Sequence, residues 1–326
     1  MYFTDQISLA EIAAKIKHMQ KLVLLDCHAI IHRAFHAIRP LSTASGEPVN
    51  AVFGFGSMLL NVLDIEQPDY LAATFDEKGP TIRHEQDDTY KANRTKAPDE
   101  LVSQFGRVRE LAAAFNVPIF SQAGYEADDL IATITEKMKA EHSVQTIIVS
   151  GDRDLLQLVD TKTSMHDLTG GYRKSINFDP AAVQAKFGFD PAFVPDFKGL
   201  AGDSSDNIAG VPGIGPKGAT DLIQQFGHLE EIYRRRDEIE SENLRNKFIE
   251  NYEQALHCRQ MATVIRDVAL DFNLPDCRLH DFDAEQALAL FDELEFRSLK
   301  ARAQKMFPAQ FHTAANPVAR GQQSLF

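Results

Sequence analysis

Along the chain, short apolar runs ending in an acid alternate with segments whose apolar residues recur three and four positions apart. Residues 21–26, 70–76, 117–121 and 146–152 have the length and β-rich content of buried strands. Residues 49–65, 101–115 and 128–139 carry helical spacing, the last with Leu130, Ile131, Ile134 and Met138 on one face. This alternation predicts an α/β domain over 21–179, its mostly parallel sheet flanked by helices. Ahead of it, Leu9, Ile12, Ala13, Ile16 and Met19 follow a Ser8/Glu11 capping box, predicting an amphipathic helix within 1–20. After Asp179-Pro180 the pattern is helical, which places a second domain at 180–307 and a small, polar tail at 308–326.

Three of the strands end in Asp26, Asp76 and Asp152, and open α/β sheets bind ligands outside the carboxyl ends of their strands. One such Asp could equally be a helix N-cap; three together point to a site. Glu126, Asp128 and Asp129 follow in four residues, more acid than a helix dipole needs. Asp154, Asp203 and Asp206 add to the set. Acids grouped in this way need either water or cations, and divalent ions take oxygen ligands.

Two further stretches carry candidate chemistry. Residues 77–99 hold Lys78, Arg83, Tyr90, Lys91, Arg94 and Lys96 among Glu77, Glu85, Asp87 and Asp88. Composition alone fits a solvated loop as well as a functional one, while its start directly after Asp76 favours function. The Gly- and Pro-rich turn at 211–219 can lead exposed backbone amides and Lys217 into a helix N-terminus and bind a phosphate, or simply join two helices.

Composition sets bounds. With 34 basic and 47 acidic side chains, the formal charge of −13 argues against a polyanionic partner unless many acids serve as ligands. Cys27, Cys258 and Cys277 lack metal-ligand spacing and fit a reducing cytoplasm. No run approaches the roughly 18 apolar residues of a membrane span, and no secretory signal is present, so a soluble intracellular protein is expected.

Taken in order, Leu-Leu-Asp26, Thr-Phe-Asp76, Tyr90-Lys-Ala-Asn-Arg94, Gly-Tyr-Glu126-Ala-Asp-Asp129, Ser-Gly-Asp152-Arg-Asp154, Lys198-Gly-Leu-Ala-Gly-Asp203-Ser-Ser-Asp206 and Pro-Gly-Ile-Gly-Pro-Lys217 resemble the bacterial 5′-nuclease family. That family comprises the 5′ to 3′ exonuclease domain of DNA polymerase I and its stand-alone relatives, kin to flap endonucleases. The resemblance covers roughly residues 21–307. It implies a PIN-like core with a helical arch near 77–99, and a helical DNA-binding domain with a helix-hairpin-helix near 203–227.

The resemblance also implies roles. Asp26, Asp76, Glu126, Asp128 and Asp129 would hold a first Mg²⁺, and Asp152, Asp154, Asp203 and Asp206 a second; Mn²⁺ accepts the same ligands. Lys91 and Arg94 would meet the scissile phosphate, with Tyr90 beside them in the arch. Arg33 would contact the 5′ strand and Phe35 stack on a base, while His32 replaces the usual tyrosine. Gly213, Ile214, Gly215 and Lys217 would grip the duplex backbone, assisted by K⁺, with Lys198 a further DNA contact.

The implied activity is structure-specific cleavage of duplex DNA bearing a 5′ flap or 5′ end, including RNA primers in hybrids, by a cytoplasmic, nucleoid-associated bacterial protein acting as a monomer. Gln322, Leu325 and Phe326 are similar to a peptide that docks on the bacterial sliding clamp. Two other readings stand beside this one: a clamp-tethered protein that binds branched DNA without cutting it, and a phosphatase using Asp152-Arg-Asp154.

Overall fold

Leu22, Val23, Leu24 and Leu25 are completely buried, and alternate residues enter different cores. Val23 and Leu25 meet Val52, Phe55 and Leu59 on one face of the sheet. Leu22 and Leu24 meet Ile131, Ile134 and Leu222 on the other. A continuous apolar run is what a central strand covered on both faces requires.

In the computed structural model, which describes residues 19–308 apart from 280, 281 and 283, the chain forms a six-stranded sheet. The strands are β1 (Gln20–Asp26), β2 (Tyr70–Thr74), β3 (Ile119–Phe120), β4 (Val144–Ser150), β5 (Thr163–Asp167) and β6 (Ile176–Phe178), in spatial order β3-β2-β1-β4-β5-β6. Every pairing is parallel except β5 with β6. The expected α/β class with a mostly parallel sheet is therefore the observed one.

Differences from the sequence reading have local causes. The helix expected over 101–115 divides into Asp99–Val102 and Gln104–Ala114. At the break, the buried Gln104 accepts hydrogen bonds from the amides of Ala51 and Val52, supplying the partner that opens helix Asn50–Ile65. In the segment 77–99, where a helical arch is expected, only Ile82–Gln86 and the first residue of Asp99–Val102 are α-helical. Residues between them run in turns that pack onto the loop at 203–207, with Asn93 and Asn207 bonding across to Ser204 and Thr89 carbonyls.

Helices dominate after Pro180, but they serve two cores. Pro216–Phe226 contributes Leu222, Ile223 and Phe226 to the core that holds Leu22. Ala284–Glu293 and Arg297–Met306 return to the opposite face, adding Leu290, Phe291 and Leu299. No helix among the described residues is long and apolar enough to cross a membrane. The amphipathic helix expected near the N-terminus and the terminal peptide with Gln322, Leu325 and Phe326 lie outside the described residues.

Candidate active site

Strand register brings the first acids together. Asp26 is the last residue of β1, which lies between β2 and β4 where the strand order reverses. Asp76 lies two residues past β2, and Asp152 two past β4. Ser150, the last residue of β4, donates its hydroxyl to Asp26. Asp76 in turn accepts from the amide of Ala127, at 2.6 Å, so the N-terminus of helix Ala127–Met138 is fixed above the sheet edge. The acids, with His28, His32, Arg33, Lys91 and Arg94, line one cleft of about 760 Å³.

Asp129 departs from the expectation that it joins the first ligand group. Its carboxylate is fully buried and receives Arg83 through two bonds of 2.8 and 2.7 Å, together with the amides of Glu126 and Ile265. Asp129 and Glu126 instead form a capping box, with Glu126 as N-cap. Arg83 also donates to the carbonyls of Met261 and Thr263. It thereby ties the basic segment, the acidic helix and the C-terminal helices into one unit, and the sequence assigns it no role of its own because its partners lie 46 and 178 positions away.

Cations of the basic segment meet the remaining acids. Lys91 Nζ is 2.7 Å from Glu126 and 3.7 Å from Asp206, and Arg94 is 2.6 Å from Asp206. The backbone of Lys91, at φ +55, places its amide on the Asp206 carbonyl. Burial alone would make Lys91 easier to deprotonate; Glu126 and Asp206 outweigh it and hold the ammonium charged. These contacts link Asp206 to Glu126 rather than to the second group in which it was expected. In that second group Lys198 pairs with both Asp154 and Asp203, while Asp152 accepts the amide of Asp154.

Asp26, Asp128 and Asp152 have no lysine or arginine at ion-pair distance among the described residues, since the nearby cations are paired elsewhere. Burial pushes the Asp26 carboxyl up to about 7, with repulsion from Asp76 and Asp152 adding to it and hydrogen bonds from Ser150 and Ala29 opposing. Asp128 is raised by burial and then by Asp152 and Asp26; Asp152 is raised by burial, partly offset by Lys198. This donor set fits a hard divalent ion: all oxygen, excess negative charge, and an open cleft. Among the described residues no group of three or more His, Cys, Asp or Glu side chains is already arranged to hold a metal ion, so the fit rests on donor chemistry and charge.

The expected DNA contacts divide. Arg33 and His32 line the cleft, Arg33 bonding to the Thr169 carbonyl. Phe35 does not line it; it is half-buried against the core beside His36. Tyr90 is 4% exposed, and its hydroxyl donates toward Glu126 and Asp206, so in this structure it braces the acids. In the hairpin, Gly213, Gly215 and Lys217 are exposed. The Ile214 side chain is buried in the core, leaving only its backbone for a phosphate.

Residues 21–188 match the family description "5′-3′ exonuclease, N-terminal resolvase-like domain", and residues 189–285 match "5′-3′ exonuclease, C-terminal SAM fold". The chain is 38% identical over 284 residues to DNA polymerase I of Caldicellulosiruptor bescii, covering 86% of this chain and 33% of the relative. It is 36% identical over 283 residues to DNA polymerase I of Bacillus subtilis, covering 87% and 32%. The chain thus spans about a third of the length of these relatives.

Among solved structures, T5 5′-exonuclease with bound zinc superposes with a TM-score of 0.61 at 19% identity, over 87% of this chain and 99% of that one. The catalytic core of Rad2 in complex with a DNA substrate gives 0.59 at 14%, over 90% and 93%. At these identities the likeness is one of fold.

Proposed function

The chain belongs to the 5′-3′ exonuclease family, and on that premise we propose that it is a divalent-metal-dependent, structure-specific nuclease cutting DNA with a 5′ flap or 5′ end. The observation that carries the proposal is the convergence of Asp26, Asp128 and Asp152, without paired cations, in a cleft shared with Lys91 and Arg94.

Asp26, Asp76, Asp128 and Asp152 would hold ions at the sheet edge, with Glu126, Asp154, Asp203 and Asp206 contributing as their lysine and arginine partners turn to phosphate. Bound there as a pair, Mg²⁺ or Mn²⁺ would supply an activated water and neutralise charge on the departing 3′ oxygen. Lys91 and Arg94 orient the scissile phosphate and stabilise its charge. Arg33 steadies the 5′ strand, and Lys198 lies where it can exchange Asp154 and Asp203 for a phosphate oxygen.

The amides of Gly213 and Gly215, with Lys217, hold the duplex backbone without reading sequence. A K⁺ ion at that hairpin, removal of RNA primers in replication and repair, and docking of Gln322, Leu325 and Phe326 on the sliding clamp complete the proposal. Incubating the full chain with a 5′-flap duplex tests it: cleavage begins on adding Mg²⁺ and stops with excess chelator. Binding without cleavage under both conditions would replace it with a non-enzymatic branched-DNA protein.

A further inference from the structure

The cleft has a wall that phosphodiester chemistry does not use. Beside the acids, Leu156, Phe187, Phe189, Val194 and Phe197 line it. The rings form a run, Phe187 to Phe189 at 6.1 Å between centroids and Phe189 to Phe197 at 5.1 Å, with interplanar angles of 33° and 34°. Phe189 is 3% exposed and backs the wall, whereas Phe187 and Phe197 are half-buried.

The sequence builds this wall locally. Helix Pro180–Phe187 ends at Gly188, whose φ of +83 turns the chain sharply and delivers Phe189 beside Phe187. On helix Val194–Ala201, Val194, Phe197 and Lys198 are spaced to share a face. Lys198 on that face pairs with Asp154 and Asp203, so the aromatic wall is continuous with the second acid group.

We propose that Phe187 and Phe197 form a stacking subsite for one nucleobase of the strand bound in the cleft. The inference rests on the nuclease reading and adds a base contact to it. A nucleic-acid strand presents charged phosphates next to apolar base faces. The cleft matches both, with Lys91, Arg94, Arg153 and Lys198 lining it together with the aromatic wall. An apolar protein segment would use the wall but bring no phosphate to take those cations from their carboxylate partners. Stacking on a ring face accepts every base, in keeping with a protein that holds the duplex through its backbone.

Single-turnover cleavage in Mg²⁺ tests the subsite, using 5′-flap duplexes in which one nucleotide at a time near the junction is abasic. For the unaltered chain, one position should raise the half-saturating protein concentration by roughly tenfold. The Phe187→Leu/Phe197→Leu double variant, which keeps the wall apolar, should show a similar rise on intact DNA and no added penalty at that position. Position-independent effects in the unaltered chain, or penalties that multiply in the variant, overturn the subsite while leaving the nuclease reading in place. Absence of any cleavage of intact flap DNA defeats both. Should the double variant fold poorly, Phe197→Leu alone, read in the same abasic series, decides between the same outcomes.

Discussion

Lys91 Nζ lies 2.7 Å from Glu126 Oε1, joining two residues 35 positions apart across the mouth of the acid cleft. The same ammonium is 3.7 Å from Asp206 and has 14% of its side chain exposed, so it is held charged and close to where a phosphate would enter. Lys91→Ala should lower the single-turnover cleavage rate by about a hundredfold or more while changing flap-duplex Kd less than about threefold. Equal losses in both would move Lys91 to general binding.

Arg83 and Asp129 form a buried pair whose loss strands a carboxylate in the interior. Arg83→Ala should destabilise the protein by about 3–5 kcal/mol, seen as a lowered denaturation midpoint. A midpoint within experimental error of the unaltered chain would mean that the carbonyls of Met261 and Thr263 and the Asp129 carboxylate find other partners.

Asp26 links the site to pH. Its folded pKa, about 7, exceeds the ordinary 3.8. Its contribution to stability is therefore complete below about 3.8 and is lost as pH rises through 7. In chelator, Asp26→Asn should be no more stable than the unaltered chain at pH 4, and more stable at pH 8 by on the order of 2–4 kcal/mol. Mg²⁺ should narrow that gap at pH 8 by favouring the carboxylate. A difference between the two proteins that does not change with pH contradicts the assignment.

Removing residues 322–326 tests the proposed clamp docking apart from cutting. The shortened chain should cleave a short flap substrate at the rate of the full chain and no longer bind the sliding clamp in a pull-down or calorimetric titration. Clamp affinity that survives the deletion assigns docking to another surface.

The sheet was legible because burial on both faces demands the uninterrupted apolar runs of β1, β2 and β4, and the acids at their ends follow from strand length. Asp129 reads like its acidic neighbours in the sequence, and only the distant Arg83 and the capping box with Glu126 set it apart from them. Tyr90 and Phe35 show a different limit: a local motif does not reveal which side of a ring the distant chain will cover. The wall of Phe187, Phe189 and Phe197 was invisible for the same reason. Each is apolar and reads as core, and only the fold brings the three rings to line the acid cleft.

If the cleft around Asp26, Asp128 and Asp152 cuts DNA with the help of divalent ions, cleavage needs both the ions and the Asp128 carboxylate. Product sizing on a single end-labelled 5′-flap duplex, with Mg²⁺ and with excess chelator, tests it most directly when Asp128→Asn is run beside the unaltered chain. Labelled products should form near the flap junction only with Mg²⁺, and fall by about a hundredfold or more in Asp128→Asn while flap binding persists. Cleavage that survives the chelator, or an Asp128→Asn protein that cuts at the unaltered rate, would contradict it.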